Sequence, residues 1–150
     1  MPANRNPIYT GTIFRWDTTL TAAVAPRVIS TQAPVLLGNS GSYGALITHI
    51  RCLDLGDDVA TVVFFYTKRL LGDDLSYRLV LELQIAQATG TSLAAANTET
   101  VATLPVIPLF DGDVRGLHLA ANTELYCALG TSVTEGKAIH VTGGLYELQT

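Results

Sequence analysis

The three histidines are the residues of this chain whose type is best suited to metal binding or acid–base chemistry. His49, His118 and His140 lie far apart, and none has a second histidine two to four residues away or a pair of cysteines nearby. Metal sites are typically built from such closely spaced ligands. The spacing therefore favours ordinary histidines on strands, and we predict neither a metal nor any other cofactor.

Acidic pairs are the next candidates, because calcium binds several oxygens and glycoside hydrolysis needs two facing carboxyl groups. The pairs are Asp57-Asp58, Asp73-Asp74 and Asp111 with Asp113. Each pair lies beside a glycine in a predicted turn, where the side chain of aspartate hydrogen-bonds the local backbone. We interpret them as turn residues rather than as ligands or catalytic acids.

Nucleophilic catalysis has no recognisable motif in this chain. No serine lies in a Gly-x-Ser-x-Gly elbow, and no segment has the pattern of a phosphate-binding loop. Cys52 and Cys127 are distant in sequence and fall within predicted strands, which favours buried free thiols over a disulfide. The sequence therefore predicts a protein that is not an enzyme and has no catalytic residues.

The composition limits the partners that the chain can bind. Of its 150 residues, 48% are hydrophobic and only 15% charged, and the nine Lys and Arg residues are scattered in a chain of net charge -4. Nucleic-acid binding needs a basic patch, and a membrane helix needs about 20 apolar residues in a row. We therefore expect neither partner, and the low charge favours a surface covered by other protein subunits. The start of the chain lacks the apolar core of a secretory signal, which favours assembly in a cytoplasm.

Residues 76–87 have the clearest pattern in the chain. Tyr77, Leu79, Leu81, Leu83 and Ile85 alternate with mainly polar residues. A period of two places alternate side chains on opposite faces of a strand. This pattern predicts a strand whose apolar face forms the interior of a two-layer fold, with Arg78 facing outwards.

Other segments predict further strands. Residues 45–55 and 59–69 are predicted to form a hairpin that continues into 76–87 as a meander, and 59–68 is apolar on both faces, as in a central strand. Pro105 and Pro108 confine 98–109 to a sheet edge or end it early. Gly143-Gly144 predicts a bulge in the last strand.

These segments add up to eight or nine short strands and no long helix. The predicted fold is all-β, an antiparallel two-layer β-sandwich or jelly roll over 41–150, with an extended N-terminal arm containing edge strands over 1–40. The arm either crosses a neighbouring subunit or folds back as edge strands of its own domain. The residues predicted to contact another subunit through this arm are Arg5, Ile8, Tyr9, Ile13, Phe14 and Trp16.

A series of loose motifs follows in a fixed order between about residues 40 and 147. The segments are Gly44-Ala45-Leu46-Ile47, Ala60-Thr61-Val62, Leu104-Pro105-x-x-Pro108-Leu109, Leu125-Tyr126-Cys127-Ala128-Leu129-Gly130 and Gly143-Gly144-Leu145-Tyr146. This series resembles a family of small virion proteins of tailed bacteriophages. In that family a Gly-Ala-x-Ile entry, an Ala-Thr-Val strand after a polar turn, a Leu-Tyr strand ending in Gly and a closing Gly-Gly-x-Tyr follow in the same order. Leu145 stands where the family pattern has an acidic residue.

The resemblance implies a β-sandwich component of a virion, located on the capsid surface and assembled in the host cytoplasm. Among such components, a capsid cement or decoration protein fits the short length, the low charge and the arm. Its implied partners are the major capsid protein and copies of itself, with a trimer expected because capsids offer many local threefold positions. The alternative is a receptor- or carbohydrate-binding module of the tail that uses the loops at one end of the sandwich.

Overall fold

The structure of the chain is a computed structural model that describes residues 8–23, 34–55, 61–72, 76–86, 99–109, 112–133 and 136–148. The described residues form strands and connecting turns, with no helix among them. The eleven strands are β1 (Ile8–Leu20), β2 (Val35–Asn39), β3 (Ala45–Asp54), β4 (Thr61–Arg69), β5 (Arg78–Ile85), β6 (Glu99–Val101), β7 (Val106–Leu109), β8 (Gly112–Arg115), β9 (Leu117–Leu119), β10 (Thr123–Leu129) and β11 (Lys137–Leu148).

Two antiparallel sheets form the sandwich. The five-stranded sheet has the order β1-β11-β3, and the short strands β6 and β9 both pair with the remaining edge of β3. The four-stranded sheet has the order β2-β10-β4-β5, and β7 with β8 forms a separate hairpin. The main cluster of buried apolar residues draws on both larger sheets, so the core lies between them. The all-β, antiparallel sandwich predicted from the sequence is confirmed.

β4 is covered on both of its faces, as its sequence predicts. Val63 and Phe65 belong to the core between the sheets, whereas Phe64 and Tyr66 are buried on the outward face of the four-stranded sheet. The strand lies between β10 and β5, which satisfies its backbone on both sides. An apolar run without alternation is typical of a strand in this position.

The alternation in β5 holds at one end of the strand and fails at the other. Leu81, Leu83 and Ile85 pack in or against the core between the sheets. The pairing with β4 then skips Val80, because Phe65 lies opposite Leu81 but Tyr66 lies opposite Leu79. Such a bulge adds one residue and reverses which side chains face inwards. The prediction that Tyr77 and Leu79 are interior residues is therefore wrong.

The predicted hairpin of 45–55 with 59–69 is also wrong. β3 belongs to the five-stranded sheet and β4 to the four-stranded sheet, so the connection between them crosses from one layer to the other. β4 and β5 do pair as neighbours. Both β3 and β4 bury apolar side chains in the shared core. Two strands in facing layers bury such side chains as well as two paired strands do, so the apolar patterns alone do not distinguish the two arrangements.

The first two strands lie at the edges of the two sheets. β1 pairs with β11 from Ile8 opposite Leu148 to Leu20 opposite Lys137, and β2 pairs with β10. The segment 8–20 therefore folds back onto its own domain, which is the second of the two alternatives for the arm. Residues 1–7 and 24–33 lie outside the described part of the chain.

The bulge predicted at Gly143-Gly144 is present in the last strand. The pairing of β11 with β3 shifts register between Thr142 and Gly143, at the predicted bulge. A Cβ atom on Gly143 would lie 2.2 Å from the carbonyl oxygen of Leu46 and 2.7 Å from the ring of Phe14. Only glycine fits this close approach. Pro105 lies between β6, at a sheet edge, and β7, and Pro108 lies within β7 of the separate two-stranded hairpin, so the prediction for 98–109 is also confirmed.

A buried ion pair connects β3 to β11 at the end of the core. Lys137 and Asp54 lie directly opposite each other, and the ammonium donates to the carboxylate at 2.7 Å. The side chains are 0% and 1% exposed. Because each charge has lost its hydration, the attraction between them must offset a large desolvation cost.

Candidate protein-docking surface

The three histidines have different surroundings. His49 is an exposed residue of β3, His118 hydrogen-bonds the hydroxyl of Tyr146 through Nδ1 at 3.1 Å, and His140 hydrogen-bonds the carboxylate of Asp17. Within the described ranges, no three residues among His, Cys, Asp and Glu are grouped so that they could hold a metal ion.

Both cysteines are buried free thiols, as predicted. Cys52 on β3 and Cys127 on β10 belong to the same core cluster and come from opposite sheets. Burial raises the pKa of each thiol from its ordinary value of 9.0 to about 12. A thiol needs its thiolate form to act as a nucleophile, so these two are suited to packing rather than chemistry.

The residues predicted to make contacts through the arm differ in how exposed their side chains are. Phe14 is buried and stacks on the half-buried ring of Trp16 at 4.0 Å, and both pack in or against the domain's own core. Ile13, by contrast, is 85% exposed. Ile8 and Tyr9 belong to β1 but their side chains lie outside the described part, as does all of Arg5.

Ile13 borders a groove on the outward face of the five-stranded sheet. The groove has a volume of about 320 Å³, and Gly11, Gly143 and Gly144 are among the residues that line it. It lies in the part of β1 where the pairing with β11 shifts register, between Thr10 and Ile13. Ile13 is therefore the one predicted contact residue whose described side chain is free to meet a partner.

Aromatic side chains on the outward face of the four-stranded sheet bury one another. Phe64 and Tyr66 are 3% and 1% exposed, and Tyr77 and Tyr126 pack against them. The rings of Tyr77 and Tyr126 contact each other edge to face, with their centroids 5.1 Å apart. The hydroxyl of Tyr126 donates to the carboxylate of Glu124, and burial, followed by this contact, raises the pKa of Tyr126. This face is a second small core rather than an open apolar surface.

One end of the sandwich, in contrast, leaves large apolar side chains open to solvent. Tyr43, Leu70 and Leu71, which we call the apolar end, are 45%, 39% and 64% exposed. They come from two different turns. Patches of exposed apolar side chains are typical of protein contact sites.

Backbone hydrogen bonds hold the turns of the apolar end together. The amide of Leu70 donates to the carbonyl of Asn122 at 2.9 Å, and the amide of Asn122 donates to the carbonyl of Gly41 at 2.8 Å. Asn122 adopts a left-handed conformation with φ of 52°, which asparagine tolerates better than most residues. The buried hydroxyl of Ser40 adds a bond of 2.6 Å to the carbonyl of Ala120. The apolar residues are therefore presented on a fixed framework.

A cavity opens between the two sheets beside the apolar end. It measures about 250 Å³, and its apolar wall includes Leu117 and Leu119 of β9. Arg69 and Arg78, both exposed, line it from β4 and β5. We call this space the arginine cavity. Pockets at the open end of a β-structure, apolar inside with a few polar groups, commonly bind ligands.

No known protein family, curated protein or solved structure matches this chain. The functional interpretation therefore rests on the geometry described above and on the motif order in the sequence. Across the described segments, no helix is long and apolar enough to cross a membrane.

Sequence reasoning missed the apolar end and the arginine cavity. The sequence pattern predicts only a turn over residues 70–75, although two leucines directly before Gly72 are unusual in a solvent-exposed connection. That pair was the available signal. The cavity had no such signal, because its two arginines meet only through the pairing of β4 with β5 and the bulge at Val80.

Proposed function

We propose that this chain is a structural protein of a bacteriophage virion, and specifically a capsid cement protein that binds the major capsid protein lattice on the capsid surface. It acts without a cofactor and without direct contact to nucleic acid or membrane. The motif order supports the phage setting, and the apolar end is the observation that carries the binding role.

The apolar end has the properties that a binding surface needs. Its exposed tyrosine and leucines can bury apolar area against a partner, worth about 1.5–3 kcal/mol for each side chain that becomes fully covered. The hydrogen bonds of Leu70 and Asn122 hold the backbone in place before binding, which reduces the entropy lost on association. Tyrosine is also enriched at protein interfaces.

Clamping a lattice requires more than one contact for each molecule. The exposed Ile13 and its groove on the outward face of the five-stranded sheet offer a second contact. Residues 2–7 precede β1 and form the remaining part of the proposed contact arm. Several weak contacts made together give much tighter binding than any one of them. A trimer of this chain on a local threefold position would triple the number of such contacts.

Occupancy on purified capsids that lack this protein tests the proposal. Leu71→Asp should weaken binding about 10- to 100-fold, because a charge replaces a side chain that becomes buried. Val106→Asp is the matched control, since Val106 is an exposed apolar residue of the separate β7–β8 hairpin. Deletion of residues 2–7 tests the arm without removing any part of β1. Light scattering after size-exclusion chromatography measures the oligomer.

Two results would overturn the proposal. One is binding to capsids that is unchanged in Leu71→Asp, in Ile13→Ser and in the 2–7 deletion. The other is the absence of capsid binding together with binding to host cells or glycans, which would support the tail-associated receptor- or carbohydrate-binding module instead.

A further inference from the structure

Side chains on the outward face of the five-stranded sheet line up in rows across β1, β11 and β3. The pairing registers place one residue of each strand in each row. In the order β1, β11, β3, the rows are Ile13 with Gly144 and Leu46, Arg15 with Thr142 and His49, Asp17 with His140 and Arg51, and Thr19 with Ala138 and Leu53. The four members from β1 are all exposed. The face therefore changes from apolar at the first row to charged at the third.

The first row has no side chain at its centre. Gly144 lies between Ile13 and Leu46, and all three residues line the groove of about 320 Å³. Ile13 is 85% exposed at one side of this groove. The row therefore combines a projecting apolar side chain with an open space next to it.

The third row carries opposite charges at its two ends. On β1, Asp17 accepts a hydrogen bond from His140 and lies 3.6 Å from the guanidinium of Arg15. On β3, the guanidinium of Arg51 lies 3.5 Å from the carboxylate of Glu99. The side chains of Asp17 and Arg51 are 47% and 37% exposed, so each can meet a further charge. A partner that matches this row must carry its charges in the reverse order.

A second copy of the same face presents that reverse order. Rotation by 180° about an axis that runs along β11 lays β1 of each copy over β3 of the other. Each row then meets its own counterpart, so that Ile13 packs over Gly144 and Leu46, while Asp17 faces Arg51. Stacked sheets lie about 10 Å apart, and their facing side chains interdigitate. The face is therefore complementary to itself in shape and in charge.

The face is also large enough for a specific contact. β11 has 12 residues, and three strands of that length cover a rectangle of about 40 by 14 Å. Two copies stacked on this area would bury about 1,100 Å² in total, slightly more than the roughly 1,000 Å² expected of a biological interface. An interface of this size fits a weak and reversible contact.

We propose that the outward face of the five-stranded sheet is a self-docking surface, which joins two copies of this chain face to face about a twofold axis along β11. The inference rests on the proposed function only for its setting, in which a twofold contact would link copies at neighbouring threefold positions. Ile13 forms the apolar centre of the contact, and the pairs of Asp17 with Arg51 fix its register. The five N–H donors of a guanidinium allow Arg51 to bind the carboxylate of the second copy as well as Glu99.

Charge reversal at the two ends of the third row tests this geometry. In sedimentation experiments over a range of concentrations, the unchanged chain should associate reversibly in pairs. Asp17→Arg and Arg51→Asp should each weaken self-association at least about tenfold, because each places like charges opposite one another. An equimolar mixture of the two variants should associate again, because the reversed charge of each variant then faces its opposite in the other.

The apolar centre is tested separately. Ile13→Asp should weaken self-association at least about tenfold, because it places a charge in the contact. Val106→Asp, on the separate β7–β8 hairpin, is the matched control and should leave self-association unchanged. Urea unfolding of each variant verifies its fold, and Ile13→Asp keeps the test valid if a charge-reversal variant does not fold. Absence of self-association up to about 1 mM, or a mixture as dissociated as its two components, would overturn the proposal.

Occupancy on purified capsids distinguishes this inference from the proposed function. If Leu71→Asp abolishes capsid binding while Ile13→Asp leaves self-association unchanged, the docking function stands and the self-docking surface is wrong. If the chain associates in pairs as expected but binds no capsid, the twofold contact stands and the cement function fails. Weaker capsid binding by Ile13→Asp without any change in self-association would assign this face to the capsid protein and overturn the proposal.

Discussion

Replacing Lys137 with methionine should cost the domain about 3–5 kcal/mol of its free energy of unfolding, because it leaves a buried carboxylate without its counter-charge. Methionine has nearly the length of lysine, so the change removes the charge and little volume. The ammonium and the carboxylate of Asp54 are 2.7 Å apart, and both side chains are essentially inaccessible to water. Water therefore cannot replace the lost partner.

A loss of this size is readily measured. Single domains have about 5–15 kcal/mol of stability in total, and each kcal/mol shifts the melting temperature of a domain this size by about 2–4 °C. Lys137→Met should therefore lower the melting temperature by about 6–20 °C. Trp16 is the only tryptophan and packs against the core, so its fluorescence reports unfolding in urea.

The double variant Lys137→Met with Asp54→Leu separates the pair from its surroundings. Removing both charges eliminates both desolvation costs, and stability should return to within about 1 kcal/mol of the original or exceed it. The singles and the double together form a mutant cycle whose coupling energy should be about 3 kcal/mol or more. A loss below about 1 kcal/mol in Lys137→Met, or a double variant as unstable as that single one, would refute the reasoning.

Three further outcomes are expected. Burial raises the pKa of Cys52 and Cys127 to about 12, so their contribution to stability is complete below pH 9.0 and is lost as the pH rises through 12. The urea midpoint of unfolding should therefore fall over that pH range, and the native thiols should react slowly with a disulfide reagent. Rapid labelling would contradict this. Gly143→Ala should lower the free energy of unfolding in urea by more than roughly 3 kcal/mol, because the new Cβ would lie 2.2 Å from a backbone oxygen. Gly41→Ala, where the space around the Cβ is open, should lower it by only about 1–2 kcal/mol because of its left-handed backbone conformation. The hydrogen bond from His140 lowers the pKa of Asp17 below its ordinary value of 3.8. The stability that this contact contributes is therefore present above pH 3.8 and is lost as the pH falls further. Asp17→Asn should reduce the loss of stability at acid pH, and an unchanged acid dependence would count against the contact.

Local sequence patterns were sufficient for the strands but not for the layers. The alternation of β5 correctly placed Leu81, Leu83 and Ile85, and the apolar run of β4 correctly indicated a strand covered on both faces. The patterns of β3 and β4 predict a hairpin, but they fit two strands in facing layers equally well. Short sequence separation favours pairing, but the shared core decided the outcome.

The parts of the site that were missed depend on contacts between distant segments. The bulge at Val80 exists only relative to β4, and it determines where Arg78 points. The pair formed by Lys137 and Asp54 is separated by 83 residues, and neither residue carries a local signal of burial. Lysine and aspartate are normally surface residues. Such features require the fold to be known first.

The pairing of β1 with β11 sets the order in which the domain can be completed during synthesis. Its partners, from Leu20 with Lys137 to Ile8 with Leu148, are 117 to 140 residues apart (137 − 20 and 148 − 8). At roughly 5–20 residues per second, β1 waits about 6–30 s before its partner leaves the ribosome. Until then the facing edges of β1 and β3 are both open, and open edges are templates for intermolecular pairing. A nascent chain truncated before β11 should therefore aggregate, and chaperone binding to β1 would protect its synthesis.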